Sequence, residues 1–182
     1  AVVYALGSFL EERFPHEETP FYTAFFSSAG VEETVKFLFL FFLIWGNCNF
    51  NEPLDGIVYG VFVSLGFAWA ENVIYVTHPI LGGYKTALER ALLSVPGHGL
   101  FGVRMGYYFA LGKYRSRKRY LPLAFFSPYL AHALYNYFLL KREPAFWLFF
   151  SVLEVRLWGF GLKRIKELQN CSPFREKVSK ES

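Results

Sequence analysis

Apolar residues along this chain gather into runs near twenty residues long, and polar residues collect in the short segments between them. A helix needs about 20 apolar residues to cross the ~30 Å hydrocarbon core of a bilayer, so each run reads as a membrane span. The runs fall at residues 1–10, 20–45, 54–77, 84–112, 120–140 and 144–168. The pattern predicts an all-α fold, a polytopic transmembrane helical bundle of about six spans. Residues 1–182 are expected to form a single membrane-embedded domain, because no polar stretch between spans is long enough to fold alone. The first run would make a helix of only about 15 Å and is expected to belong to a longer one; no basic segment precedes it as in a signal peptide. Pro144 suits the first turn of the last span, Asp55 is expected to cap the third, and Pro96-Gly97 is expected to interrupt the fourth.

Composition sharpens this reading. Hydrophobic residues make up 53% of the chain and aromatics 21%, with 22 Phe, a load that a soluble domain of this length rarely carries. The net charge of +4 matters less than its location. Lys113, Arg115, Arg117, Lys118 and Arg119 share one loop, and Lys163, Arg164, Lys166, Arg175, Lys177 and Lys180 share the tail. Basic loops beside spans mark the cytoplasmic face. Alternation then puts loop 46–53 and the C-terminal tail inside, and segments 11–18 and 78–83 outside. The lipid bilayer is the expected partner of this surface, and nucleic acid is not. Cys48 and Cys171 are isolated and read as free thiols. Gly56, Gly60 and Ser64 form a stripe of small residues that permits close helix packing.

Against this apolar background the buried ionisable groups stand out. A charge at the centre of a bilayer costs about 2.5–3.5 kcal/mol on insertion scales unless it is paired or hydrated. Yet Glu32, Glu33 and Lys36 lie in the second span, Glu71 and Asn72 in the third, His98 in the fourth, and His132 and Asn136 in the fifth. Glu71 sits about six residues from the outer end of its span, His132 about eight, Glu32 about twelve and His98 about fourteen, which at 1.5 Å per residue brings them within roughly 12 Å of one depth. Four helices carrying polar groups at one level predict a common polar site. Glu32 and Lys36 are spaced i,i+4, Glu33 and Lys36 i,i+3, and His132 and Asn136 i,i+4, so each set shares a helix face. A carboxylate can take a proton from water, and histidine or asparagine can stabilise the oxyanion that follows attack on a carbonyl. Such hydrolysis calls for no cofactor. Glu71, His98 and His132 as metal ligands are the alternative, since carboxylate and imidazole also bind zinc or iron. A proton-coupled transporter or a membrane binding protein is a third reading of the same buried groups, weakened by the lack of an evident repeat.

The segments EETVKF (32–37), LDGIVYGVFVSLGFAWAENVIY (54–75), PGHGLFG (96–102) and AHALYN (131–136) resemble the PrsW family of glutamate-dependent intramembrane proteases, within the wider clan of the CAAX prenyl endopeptidases. The clan pattern has FxxxH where this chain has Phe67 and Glu71 followed by Asn72, a departure that favours the PrsW branch. The resemblance implies a membrane endopeptidase acting on a membrane-anchored protein substrate. Its catalytic residues would be Glu32, Glu33, Glu71, His98, His132 and Asn136, with one of the paired glutamates as general base and Asn136 as oxyanion donor. Some members cleave anti-sigma factors at the extracytoplasmic side, so such a substrate is implied, as is a bacterial or archaeal plasma membrane. The motif GHGLFG (97–102) is not a nucleotide loop, because it lies inside a span.

Overall fold

The structure, a computed structural model, describes residues 19–79, 82–115, 119–141 and 143–174. The first predicted run and the acidic segment after it lie outside the described residues. Among the described residues every regular element is helical, and the elements join into five rods. The first rod runs through α1 (Pro20–Tyr22), the π-helix π1 (Thr23–Gly30) and α2 (Val31–Ile44). The second is α3 (Pro53–Thr77). The third runs through α4 (Tyr84–Glu89), π2 (Arg90–Ser94) and α5 (Val95–Tyr114), and α6 (Tyr120–Lys141) and α7 (Pro144–Asn170) complete the bundle.

Local chemistry fixes where the rods begin. Pro20, Pro53 and Pro144 each occupy a first-turn position, where the missing N–H costs nothing. Thr19 caps α1 by accepting from the Tyr22 N–H at 3.2 Å. At α3 the cap is Glu52, and Asp55 completes a capping box by accepting from the Glu52 N–H at 3.0 Å. Asp55, expected as the cap itself, therefore works three residues inside the cap at Glu52.

Two rods, α3 and α7, are long and apolar enough to cross a membrane. Their outward faces carry large apolar side chains that water would penalise: Phe62 is 72% exposed, Trp69 71% and Val155 73%. Phe42 on α2 is 75% exposed in the same way. Such a belt belongs against lipid. At one end of the bundle Lys113 donates to the Trp45 and Phe50 carbonyls at 3.1 Å each, and Tyr114 donates to the Phe50 carbonyl at 2.6 Å. The end of α5 is thereby tied to the loop between α2 and α3.

The closest helix pair is α3 against α5, and small residues make it so. A Cβ on Gly60 would stand 2.5 Å from the Gly102 carbonyl oxygen and 2.9 Å from the Gly106 Cα. One on Gly102 would stand 2.8 Å from the Ser64 Cβ, and one on Gly56 2.7 Å from both the Ala110 Cβ and the Gly106 carbonyl oxygen. Backbones can approach this closely only where side chains are absent. The stripe at 56, 60 and 64 thus lies against one at 102, 106 and 110, and the two helices are locked in register.

The expected break at Pro96-Gly97 takes a different form. The rod runs on, with Pro96 in the first turn of α5, and the irregularity is the wide turn π2 just before it. The Val95 N–H reaches back five residues to the Arg90 carbonyl. Proline has no N–H to donate, and the Leu93 carbonyl accepts from the Tyr135 hydroxyl at 2.9 Å. Gly97 keeps helical backbone; its value is space, since an added Cβ would meet the Tyr135 ring at 3.2 Å.

The glycine seam generates a test. Gly60→Ala is expected to destabilise the bundle by about 1–3 kcal/mol, the usual cost of overpacking. Gly66→Ala, whose Cβ would meet nothing within 4 Å, is expected to leave stability unchanged or slightly raised. Thermal unfolding of the two variants in detergent distinguishes them; equal midpoints would contradict the seam.

Candidate active site

The i,i+3 and i,i+4 spacings on α2 put Glu32, Glu33 and Lys36 on the face turned into the bundle, where their exposures are 3%, 0% and 1%. Lys36 Nζ lies 2.7 Å from Glu33 Oε1, 3.5 Å from Glu32 Oε2 and 2.9 Å from His98 Nδ1. The ring of Phe67 covers the ammonium at 4.9 Å from its centroid. One lysine thus links both glutamates to a histidine from another rod.

The two glutamates are held differently. Glu33 Oε1 also accepts from His132 Nδ1 at 2.8 Å, while its Oε2 is buried and takes no hydrogen bond from the protein. Glu32 Oε1 accepts from the Ser28 hydroxyl at 3.1 Å, one turn earlier. Its Oε2 stands 3.9 Å from both His98 Nε2 and His132 Nε2. That spacing is too long for direct hydrogen bonds and suits an intervening water. Asn136 Nδ2 donates to Ser28 Oγ at 2.8 Å and approaches His132 Nε2 at 3.1 Å, so α6 touches the glutamate pair from two directions. Phe101 stacks on the His132 ring at 4.6 Å.

Glu71 stands at the rim. Its Oε2 lies 3.2 Å from His98 Nε2 and 2.8 Å from Arg90 Nη2, near enough for ion pairing although neither N–H is aligned as a hydrogen bond. Asn72 Oδ1 accepts from Arg90 Nε at 2.6 Å. Of the six predicted site residues, Glu32, Glu33, His98 and His132 meet in one buried cluster. Glu71 joins it through His98, and Asn136 through His132 and Ser28. Ser28 and Arg90 were not anticipated: a serine carries too little desolvation cost to stand out, while Arg90, in the fourth span, did carry a charge signal.

Three donor atoms, one each from Glu32, His98 and His132, lie within 4.8 Å of one another and could hold a metal ion. The set contains Glu32 where the sequence reading placed Glu71. Proton positions decide how well it fits. His132 has the right tautomer for a ligand, because its Nδ1–H goes to Glu33, but Asn136 Nδ2 lies 3.1 Å from the Nε2 lone pair and would have to yield it. His98 does not, because Lys36 has only protons to offer its Nδ1. The ring proton then sits on Nε2, the atom a metal would need. In this arrangement the donor set does not fit a resident ion.

A family profile described as PrsW family intramembrane metalloprotease matches residues 1–159. Protease PrsW of Geobacillus kaustophilus is 40% identical over 152 residues, covering 82% of this chain and 65% of the relative. Protease PrsW of Bacillus subtilis is 36% identical over 156 residues, covering 84% and 69%. That of Clostridioides difficile is 32% identical over 156 residues, covering 83% and 66%. The chain therefore spans about two-thirds of the length of these relatives. No solved structure matches it.

The buried charges make Lys36 the residue whose loss the cluster tolerates least. Removing one partner of a buried ion pair typically costs about 3–5 kcal/mol. Lys36→Met is expected to lower the unfolding midpoint markedly, whereas Thr34→Ala, at an exposed position two residues away, is expected to shift it little. Circular dichroism melts in detergent give the comparison.

Proposed function

Because the chain belongs to the PrsW family, we propose that it is a membrane-embedded endopeptidase in which Glu32 activates water to cut a membrane-anchored protein. The observation that carries this reading is the position of Glu32 Oε2, 3.9 Å from the Nε2 atoms of both histidines. A water there would touch a carboxylate that can take its proton and an imidazole that can orient it.

Glu33 serves better as an orienting group than as the base. One oxygen is already shared by Lys36 and His132, and the side chain is wholly buried. It fixes the His132 tautomer so that Nε2 faces the reaction, as a carboxylate does for a catalytic imidazole. In the proposed step the water oxygen bonds to the peptide carbonyl carbon while its proton passes to Glu32. Asn136 donates to the oxyanion with one of its two Nδ2 protons, released from Ser28 Oγ or His132 Nε2, which hold them before substrate binds. The carbon–nitrogen bond then breaks as Glu32 returns the proton to the departing amine.

Glu32 and His98 lie near the middle of their rods, while Glu71 and His132 lie nearer the ends at Thr77 and Lys141, so the cluster extends from the middle of the bundle toward those ends. The loop charges assign those ends to the extracytoplasmic side, so a single-span protein cut near that face, of the anti-sigma-factor type, is the substrate class proposed. A bacterial plasma membrane with the C-terminal tail in the cytoplasm accords with it.

Purified protein in liposomes, given a single-span anti-sigma factor and analysed by mass-mapped products, tests the reading. Cleavage is expected, and Glu32→Gln is expected to lower kcat by about 10²–10⁴-fold, the range of a lost general base. Glu33→Gln is expected to lose less. Full activity in Glu32→Gln would remove the proposed base. A metal-dependent hydrolase is the second reading, favoured by the description of the family as metalloproteases; an ion at the three convergent atoms would require His98 to give up its Nε2 proton. A metal-to-protein ratio near one, with activity lost on chelation, would replace the first reading with it.

A further inference from the structure

Arg90 is a charged residue of the third rod that the mechanism above does not use, and it is fastened from four directions. Its Nε donates to Asn72 Oδ1 at 2.6 Å and its Nη2 to Ser94 Oγ at 3.1 Å. Nη2 is also 2.8 Å from Glu71 Oε2, and the guanidinium lies over the Tyr75 ring at 4.1 Å from its centroid. The guanidinium fork matches this array, and the single point charge of a lysine does not.

The sequence spacing explains how these contacts arise. Arg90, Ser94 and His98 recur every four residues, as do Phe67, Glu71 and Tyr75. The two stripes run in opposite directions along facing helices. Phe67 meets His98, with ring centroids 6.3 Å apart. Glu71 meets both His98 and Arg90, and Tyr75 meets Arg90. Glu71 is the shared member, with its Oε2 placed between the arginine and the histidine.

The charge balance depends on this contact. Glu32 and Glu33 with Lys36 on α2, Glu71 on α3, Arg90 on π2, His98 on α5 and His132 on α6 are the ionisable groups that face one another here. Three carboxylates stand against two fixed cations. Without Arg90, Glu71 would lose the cation 2.8 Å from its Oε2, the charge that offsets its carboxylate beside His98.

We propose that Arg90 is a positioning residue: it holds Glu71 against His98 and so sets the imidazole that faces the Glu32 carboxylate. The inference rests on the peptidase reading and extends it to a residue that need not touch substrate. Outer partners that orient a metal-bound imidazole alter activity by about 10–100-fold, and an effect of the same order is expected for this imidazole.

The test compares kcat, KM and melting temperature for wild type, Arg90→Met and Arg90→Lys, using the single-span substrate in liposomes. Wild-type cleavage that Glu32→Gln abolishes establishes the peptidase reading first, and its absence would sink that reading rather than this one. Arg90→Met is expected to lower kcat about 10–100-fold with KM within about threefold of wild type. Arg90→Lys, which keeps the charge and loses the fork, is expected to recover part of the loss. If Arg90→Met does not fold, Arg90→Lys decides: reduced kcat at unchanged KM and melting temperature supports positioning, and wild-type kcat overturns it. The proposal is also overturned by wild-type kcat in Arg90→Met, by a change confined to KM, or by a kcat loss that only tracks the loss of folded protein.

Discussion

The approach of α3 to α5 is the constraint on which the rest of the molecule depends. Glycines at 56, 60, 102 and 106 bring two backbones together with no side chains between them. Apolar side chains gain little by leaving lipid for one another, so packing and interhelical polar contacts must hold a membrane bundle. A seam of this kind tolerates one register, because a slip of one residue would drive side chains into backbone. Register at the seam fixes register one to three turns further along. There the same two faces present Phe67, Glu71 and Tyr75 to His98, Ser94 and Arg90.

The second constraint is charge. Five ionisable side chains with 3% exposure or less, from three rods, are gathered at one level. Each would be expensive in the membrane alone. Together they form a continuous set of contacts: Ser28 to Glu32, Lys36 to both glutamates and His98, Glu33 to His132, and His98 to Glu71. The arrangement gives the two adjacent glutamates different surroundings from nearly identical sequence positions. Glu33 is enclosed by a cation and an imidazole, whereas Glu32 keeps one oxygen turned toward both histidines. Consecutive residues on a helix point about 100° apart, so adjacency in sequence does not make their roles interchangeable.

Much of this was legible in the sequence for one reason: the membrane makes polar residues conspicuous. Glu32, Glu33, Glu71, His98 and His132 could be singled out because each breaks an apolar run, and helical spacing placed Lys36 against the glutamates. The rods starting at Pro20, Pro53 and Pro144 follow from where polar segments stop and proline permits a first turn. What was not legible depends on contacts between rods. Pro96 marked an irregularity, but the wide turn lies just before it, and the Leu93 carbonyl within that turn finds the Tyr135 hydroxyl of α6. Ser28 became visible only through its bonds to Glu32 and Asn136, and the partner choice of Glu71 only through the register of α3 on α5.

The two wide turns tie these strands together. A π-helical turn carries an extra residue and rotates whatever follows relative to whatever precedes. Here π1 ends directly before the glutamate pair and π2 directly before the turn that bears His98. Both turns carry members of the polar network themselves: Ser28 of π1 bonds Glu32 and Asn136, and Arg90 of π2 meets Glu71, which also faces His98. Residues four apart overshoot a full turn of an α-helix and fall short of one in a π-helix. A stretch that combines the two therefore keeps Arg90, Ser94 and His98 in one row toward α3, so the packing that holds the bundle and the polar groups that face its centre can share one face.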